Sequence, residues 1–281
     1  MIELTNVKRS YPGFTLDIDR FSVEEGTITG VVGLNGSGKT TLFRLITGLA
    51  APDEGSVMTF GHQADTLPVS LKKEIGAVFV DSGFPKWMTP ADVQSVLKAF
   101  YDSFDPAQYN QLLEQEKLPK DKMLSMYSSG MLAKFRIIAA LSHSPRFLLL
   151  DEPTSGLDVA ARREILELLQ NYMMTPGRSI LISSHIASDL ETLCDDFWMI
   201  QNGKMVLHES VDALTGEYGI LHVSDSQLEQ LDLAAVRAKT KTPGGWDLLV
   251  SDRKFYQENY PALPIEKGNI DDLLLIVEGD H

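Results

Sequence analysis

The chain has one cysteine, Cys194, among 281 residues. A lone thiol excludes an internal disulfide and fits a reducing compartment such as the cytosol. Basic residues are scarce: 25 Lys and Arg stand against 39 Asp and Glu, a formal net charge of -14. That balance argues against a broad nucleic-acid-binding face, which needs cations to neutralise phosphates. Uninterrupted apolar runs are missing as well. No stretch approaches the roughly 18 residues of a membrane span, and the opening MIELTNVKRSYPG has no signal-peptide core. His62, His143, His208, His222 and His281 lack metal-ligand spacing, so no zinc site is expected. What is present is an ordinary packed composition, 43% hydrophobic and 23% charged. These features describe an acidic, cytosolic protein that cannot cross a membrane alone.

Strand and helix signals alternate along most of the chain. Thr27 to Val32 is a β-branched run of the kind buried on both faces in a parallel sheet, and it leads into Gly33-Leu34-Asn35-Gly36-Ser37-Gly38-Lys39-Thr40-Thr41 and an apolar helix. Thr89, Pro90 and Asp92 start a helix with Val93, Val96, Leu97, Phe100 and Tyr101 on one apolar face. Asp105-Pro106 starts another, with Tyr109, Leu112 and Leu113 on one side. Residues 88–144 therefore read as a helical insert in an α/β domain. Phe147 to Leu150 is a strand, Asp158 caps a helix with Ile165, Leu166, Leu169, Tyr172 and Met173 inward, and Ser179 to Ser183 is a further strand. This order predicts a parallel sheet covered on both faces. The main α/β domain is placed at 1–214 and a small accessory region at 215–281. The last 66 residues carry 12 acidic and 6 basic side chains, and so few residues make a marginal core, so they are expected to pack on the main domain or a copy of it.

The strongest chemical signal is Gly33 to Thr40, which satisfies the G-x-x-x-x-G-K-[ST] spacing of a P-loop. Its glycines let successive backbone N–H groups face one phosphate chain, and the helix N-terminus adds positive potential. Lys39 supplies a point charge for the β- and γ-phosphates, and Thr40 a hydroxyl for Mg2+. The second signal is Phe147 to Leu150 ending in Asp151-Glu152, two carboxylates at the edge where open α/β sheets bind ligands. Asp151 would hold Mg2+ and Glu152 would activate the attacking water. A solvated turn, Asp151-Glu152-Pro153-Thr154, is the bland reading of the same residues; beside a P-loop the chemical one is preferred.

With these two motifs in order, residues 1–212 resemble the ATP-binding subunits of ABC transporters. Three further features carry the resemblance. Tyr127-Ser128-Ser129-Gly130-Met131 is similar to the signature sequence LSGGQ, in a variant found among antibiotic, sodium and peptide exporter ATPases. Ser155-Gly156-Leu157-Asp158 is similar to the D-loop, and His185 to the switch histidine. Taken bottom-up, Ser128-Ser129-Gly130 ahead of a helix expected at Met131 to Leu141 offers a hydroxyl, a close backbone approach and a second anion site, though a plain helix cap has the same composition. One chain already has its P-loop on the phosphates. The second site would thus serve the nucleotide of another subunit, and two head-to-tail chains would enclose two ATP molecules. A histidine at a strand end is more often structural, but the strand following the Asp-Glu strand favours a catalytic His185.

The resemblance also implies an aromatic residue stacking on adenine. Tyr11 matches it, a sheet-packing turn aromatic is the alternative role, and Phe14 is the other candidate. One family feature is missing. Val80 occupies the place of the usual glutamine, with Asp81 beside it; Asp81 is expected to take over part of its role, including metal contact, with Ser82 to Pro85 as a mobile loop. Cys194, Trp198, Met199, Met123 and Met126 are expected to be packing residues. The implied partners are a second ATPase subunit, identical or different, and a transmembrane permease in a separate chain, docking between the helical insert and residues 80–88 at the inner face of the cell membrane. A soluble ABC-type ATPase acting on translation or DNA is disfavoured by the charge and by the absence of a second such domain or a long coiled coil. A P-loop kinase would have no use for Ser128 to Gly130.

Overall fold

The computed structural model describes residues 1–81 and 83–279; Ser82, part of the loop expected to move, and His281 lie outside the described residues. The chain divides into two compact units, one of residues 1–185 with 198–206 and one of residues 186–197 with 207–281. The division is discontinuous where the sequence suggested one cut near residue 214. No described helix is long and apolar enough to cross a membrane.

The first unit opens with β1 (Ile2–Tyr11), β2 (Phe14–Val23), β3 (Ile28–Val32) and α1 (Lys39–Ile46), then β4 (Glu54–Thr59), β5 (His62–Gln63), α2 (Val69–Lys72) and β6 (Ile75–Val78). The helical part follows as α3 (Pro90–Phe100), α4 (Pro106–Gln115) and α5 (Ser129–Leu141). The chain then returns to sheet through β7 (Phe147–Asp151), α6 (Val159–Met173) and β8 (Ser179–Ser184); β9 (Asp196–Gln201) and β10 (Lys204–Ser210) come later, and only their residues 198–201 and 204–206 fall in this unit. Two sheets result: an antiparallel one of order β2-β1-β4-β5, and a six-stranded one of order β10-β9-β3-β8-β7-β6. In the latter, β3, β8, β7 and β6 pair in parallel. Every residue of β3, β7 and β8 is buried, which is why these segments carry apolar runs such as Phe147 to Leu150 and Ile180 to Ile182 rather than alternation.

Register is what assembles the site. Val32 pairs with Ser184, Asp151 with Ser183, and Leu150 with Val78. The residues that leave these strands, Gly33, His185, Glu152 and Phe79, therefore emerge together along one sheet edge. One apolar cluster, including Leu4, Phe21, Leu42, Phe43, Phe147 and Trp198, joins the two sheets through α1.

The helical part has a core of its own around Val93, Tyr109, Leu113, Leu124 and Phe135. Its helices begin where the sequence places caps: Thr89 and Asp92 form a reciprocal capping box, and Asp105 accepts from Ala107 and Gln108 N–H. Three expectations need correction. The helix after the serine-glycine turn starts at Ser129 rather than Met131, because Ser128 itself is the cap. Phe100 lies on the apolar stripe of α3 but is 67% exposed, since the stripe is wider than the core beneath it. Met123 and Met126 are exposed rather than packed; they flank Leu124, which is the side chain turned inward. Trp198 and Met199 are buried as expected.

The second unit contains α7 (Ala187–Leu193), α8 (Val211–Gly216), β11 (Gly219–Val223), α9 (Asp225–Leu228), β12 (Val236–Thr242), β13 (Gly245–Val250), α10 (Arg253–Asn259), β14 (Ile265–Lys267) and α11 (Ile270–Gly279). Its sheet has the order β12-β13-β11-β14 with antiparallel pairs. Leu221, Val223, Leu248, Val250 and Tyr256 form its core, and Ile270 N–H donates to Glu191 Oε1 at 2.7 Å, fastening α11 to α7. Cys194 is buried here, and that burial, with Asp196, Asp195 and Asp189 nearby, raises its thiol pKa well above the ordinary value. It is inert packing.

Candidate nucleotide site at the edge of the parallel sheet

The loop leaving β3 is shaped by two glycines. A Cβ on Gly33 would stand 2.3 Å from the Ile200 carbonyl oxygen, so only glycine lets the loop pass β9. Gly38 caps α1 with φ 116°, in the region that disfavours side chains, and leaves the first-turn N–H groups without a side-chain partner. Those N–H groups face a cavity of about 640 Å³ lined by Asn35, Gly36, Gly38, Lys39, Thr40 and Thr41 from the loop and helix, and by Asp81, Asp151 and Glu152 from the neighbouring strand ends. Leu34 points outward, and Ser37 is buried with an unpartnered Oγ. A strand, a glycine loop and an open helix start around a cavity of this size make an anion site suited to a phosphate chain.

Six polar side chains are wired together in it. Thr40 Oγ1 donates to Asp151 Oδ2 at 2.7 Å, and Ser183 Oγ donates to Asp151 Oδ1 at 2.8 Å. The same Ser183 Oγ accepts the Glu152 N–H at 2.9 Å. Asp151, 2% exposed, is thus oriented from both sides, and Ser183 sets the turn that follows it. Glu152 adopts φ 51°, a left-handed conformation that costs a non-glycine residue about 1–3 kcal/mol and here re-aims its carboxylate into the cavity. There Glu152 Oε1 lies 3.2 Å from Lys39 Nζ, and Oε2 is 2.6 Å from His185 Nδ1. Lys39 Nζ also donates to the Gly33 carbonyl at 2.7 Å. The carboxylate is 11% exposed, so these two partners are nearly all it meets.

A divalent cation fits the donors. A hydroxyl and a carboxylate oxygen, held together at 2.7 Å with the carboxylate's other oxygen already tied down, are the hard ligands that Mg2+ takes.

The other expected residues are placed as follows. Asp81 lines the cavity but is 74% exposed, its Oδ2 3.2 Å from Arg44 Nη2. The Tyr11 ring is covered by the Arg9 guanidinium at 5.1 Å, whereas Gly13 and Phe14 line the cavity. Ser128 Oγ caps α5 by accepting from Met131 N–H at 3.2 Å. Ser129 lines a second cavity of about 460 Å³ together with Asn35, Glu152, Ser155 and His185. Gly130 packs against Ala161, and the Asp158 carboxylate caps α6 by accepting from Ala161 N–H at 2.9 Å. Ser183 is the residue that sequence reasoning missed. Buried serines at the end of the apolar run Ile180 to Ile182 were the available signal.

Comparison with known proteins agrees with this geometry. The family model described as ABC transporter matches residues 16–155. The ABC transporter ATP-binding protein YtrB of Bacillus subtilis (strain 168) is 30% identical over 219 residues, covering 78% of this chain and 75% of that protein. The bacitracin transport ATP-binding protein BcrA of Enterococcus faecalis is 31% identical over 235 residues, covering 81% and 76%. A solved structure of the ATP-binding subunit of an ABC transporter superposes with a TM-score of 0.68 at 25% identity, covering 76% of this chain and 91% of that one.

Proposed function

The chain belongs to the ATP-binding, ATP-hydrolysing proteins of ABC transporters, and from that premise we propose that it powers a separate membrane permease by closing on ATP as one half of a two-subunit sandwich. The carrying observation is the convergence of Lys39, Thr40, Asp151, Glu152 and His185 at one sheet edge.

In this reading the N–H groups of Gly36 to Thr41 and the Lys39 ammonium bind the phosphate chain. Thr40 and Asp151 would hold Mg2+, which supplies charge neutralisation between phosphates when bound. Glu152 accepts a proton from the attacking water at a carboxylate oxygen. His185 holds Glu152 in place through Nδ1–H and presents Nε2 to the γ-phosphate side. Lys39 bonds to the Gly33 carbonyl and to Glu152, and a phosphate competes for the same ammonium. Phosphate binding therefore frees a carboxylate oxygen of the base. Phe14, or Tyr11 after moving off Arg9, stacks on the adenine; such stacking contributes about 1–3 kcal/mol and tolerates different bases.

The Ser128 to Gly130 turn and the Asp158 loop serve the nucleotide of the second subunit, identical or different. The permease docks beside the loop after Asp81. There Phe84, Leu97, Phe100 and Tyr101 line a groove with Lys72 and Lys73, and the exposed Val69 and Phe100 give it an apolar rim. The work is done at the inner face of the cell membrane. The signature variant Tyr127 to Met131 supports outward transport.

The test is MgATP hydrolysis by the purified chain and its Glu152→Gln variant, with affinity capture of a tagged candidate permease. ATP-dependent pairing of the variant with residual turnover supports the reading. Wild-type turnover in the variant, or no pairing with any nucleotide, overturns it.

A further inference from the structure

Two helix starts that the proposed function uses, at Ser128 and at Asp158, belong to helices fastened together at two levels. At the first turn the backbones approach closely: a Cβ on Gly130 would stand 3.0 Å from the Ala161 Cβ. One turn further on, at i+4 and i+3 on the same faces, Lys134 of α5 meets Glu164 of α6. Lys134 Nζ lies 2.7 Å from Glu164 Oε2 and 3.2 Å from Glu116 Oε2, and it also donates to the Glu116 carbonyl at 3.4 Å. Glu116 ends α4, so one ammonium ties three helices.

Lys134 is 8% exposed. Burial works against its charge, but its hydrogen bonds to Glu164 and Glu116, with their negative charge, outweigh it and raise its pKa above the ordinary lysine value. The side chain is a cation at neutral pH. Ion groups of this kind contribute little net stability compared with apolar residues of the same volume, because desolvation offsets the attraction. What they add is direction. An apolar contact lets two helices slide, whereas three charge-assisted hydrogen bonds fix one register.

We propose that Lys134, with Glu116 and Glu164, is a positioning device: it holds the Ser128 to Gly130 turn and the Asp158 loop in one rigid arrangement, so that both meet the partner subunit's nucleotide together. The inference rests on the sandwich reading above. None of the three side chains touches the chain's own P-loop cavity, so their effect falls on the partner's nucleotide and not on the first binding event.

The experiment compares three forms of the full chain. One carries Lys134→Met with Glu116→Gln and Glu164→Gln, a neutral replacement that leaves no buried charge unpaired. The others are Lys134→Arg and Glu152→Gln. Melting midpoint, affinity for a fluorescent ATP analogue, kcat, KM and ATP-dependent dimerisation are read for each. The neutral form is expected to melt near wild type and to bind nucleotide normally. Its kcat should fall about 10- to 100-fold, as ångström-scale misplacement does, and its ATP-dependent dimer should weaken, while Lys134→Arg, which keeps the charge, retains most of both. The proposal is overturned if the neutral form turns over and dimerises as wild type, if its loss of rate follows a loss of nucleotide binding or of melting midpoint, or if arginine gives no relief. Glu152→Gln separates the two levels. If it traps no ATP dimer the sandwich reading itself fails; if it does and the neutral form is unaffected, only the positioning role fails.

Discussion

Glu152 is held from two sides: Lys39 Nζ lies 3.2 Å from Oε1, and His185 Nδ1 lies 2.6 Å from Oε2. The lysine contributes an ammonium and the histidine an Nδ1–H donor. Glutamine at 152 keeps the shape and can still accept from His185, but it cannot take a proton from water. Glu152→Gln should hydrolyse ATP about 10²–10⁴-fold more slowly, the span for loss of a positioned base, and retain MgATP binding. Single-turnover hydrolysis with a parallel nucleotide-binding titration checks both halves. His185→Ala should lower the rate by less, because the base itself survives; a loss equal to that of Glu152→Gln would mean that His185 is the base instead.

Asp151 accepts hydroxyl hydrogens from Thr40 and Ser183 on opposite oxygens. Ser183→Ala removes the partner that orients the carboxylate without touching either expected metal ligand. It should raise the Mg2+ concentration needed for half-maximal hydrolysis by roughly 10-fold or more, since one lost hydrogen bond to a charged group costs about 1.5–3 kcal/mol. The Glu152 N–H loses its acceptor too, so kcat should also fall. Thr40→Val, losing a ligand, should be more severe at the same Mg2+. A magnesium titration of ATPase rate orders the three proteins, and an unchanged Ser183→Ala curve would remove Ser183 from the site.

The site was legible because its residues cluster in sequence at strand ends. Gly33 to Thr40 and Asp151-Glu152 announce themselves by spacing and by the apolar runs before them, and register then brings them together. Ser183 was not legible, because its partners depend on which strand lies beside β7. Periodicity placed Phe100 on the apolar face of α3 correctly, but an apolar face says nothing of how far the core beneath it extends. Sequence alone did not rank Tyr11 against Phe14 for a related reason: only the course of the turn after β1 shows that Phe14 lines the cavity while the Tyr11 ring lies under Arg9. The antiparallel sheet of the second unit, built from segments of three to seven residues, had no periodic signal long enough to read.

Asp81 stands where the family pattern has glutamine at the preceding residue, and its carboxylate meets Arg44 at the cavity rim. Its high exposure makes this a weak ion pair, worth about 0–1 kcal/mol, and leaves it able to turn inward. If Asp81 takes over part of the glutamine's role, Asp81→Ala should lower kcat severalfold and shift the Mg2+ dependence, whereas Arg44→Ala should leave both near wild type. Parental rate and Mg2+ dependence in Asp81→Ala would assign the carboxylate to the rim alone.

His143 offers a pH test of the fold independent of nucleotide. The ring is 3% exposed, stacked on Tyr101 at 4.0 Å, with Nε2 3.3 Å from the Ile75 carbonyl oxygen. Burial pushes its pKa down to about 4, against the pull of the Ile75 and Ala139 carbonyls. Between about pH 6.5 and 4 the unfolded chain binds a proton that the folded ring refuses, so stability falls as pH falls through that window. At 1.36 kcal/mol per unit the loss from pH 6.5 to 5 is about 2 kcal/mol. Asp53 and Asp92, whose pKa values are lowered by the Ser10 and Thr89 N–H groups, respectively, act below this window, since their contribution is lost only as pH drops under their ordinary range. Urea unfolding of wild type and His143→Phe at pH 7, 6 and 5 isolates the effect. The wild-type midpoint should fall across the series and the variant's should stay nearly flat. Equal slopes in the two proteins would show that the imidazole takes up its proton in the folded state as readily as in the unfolded one.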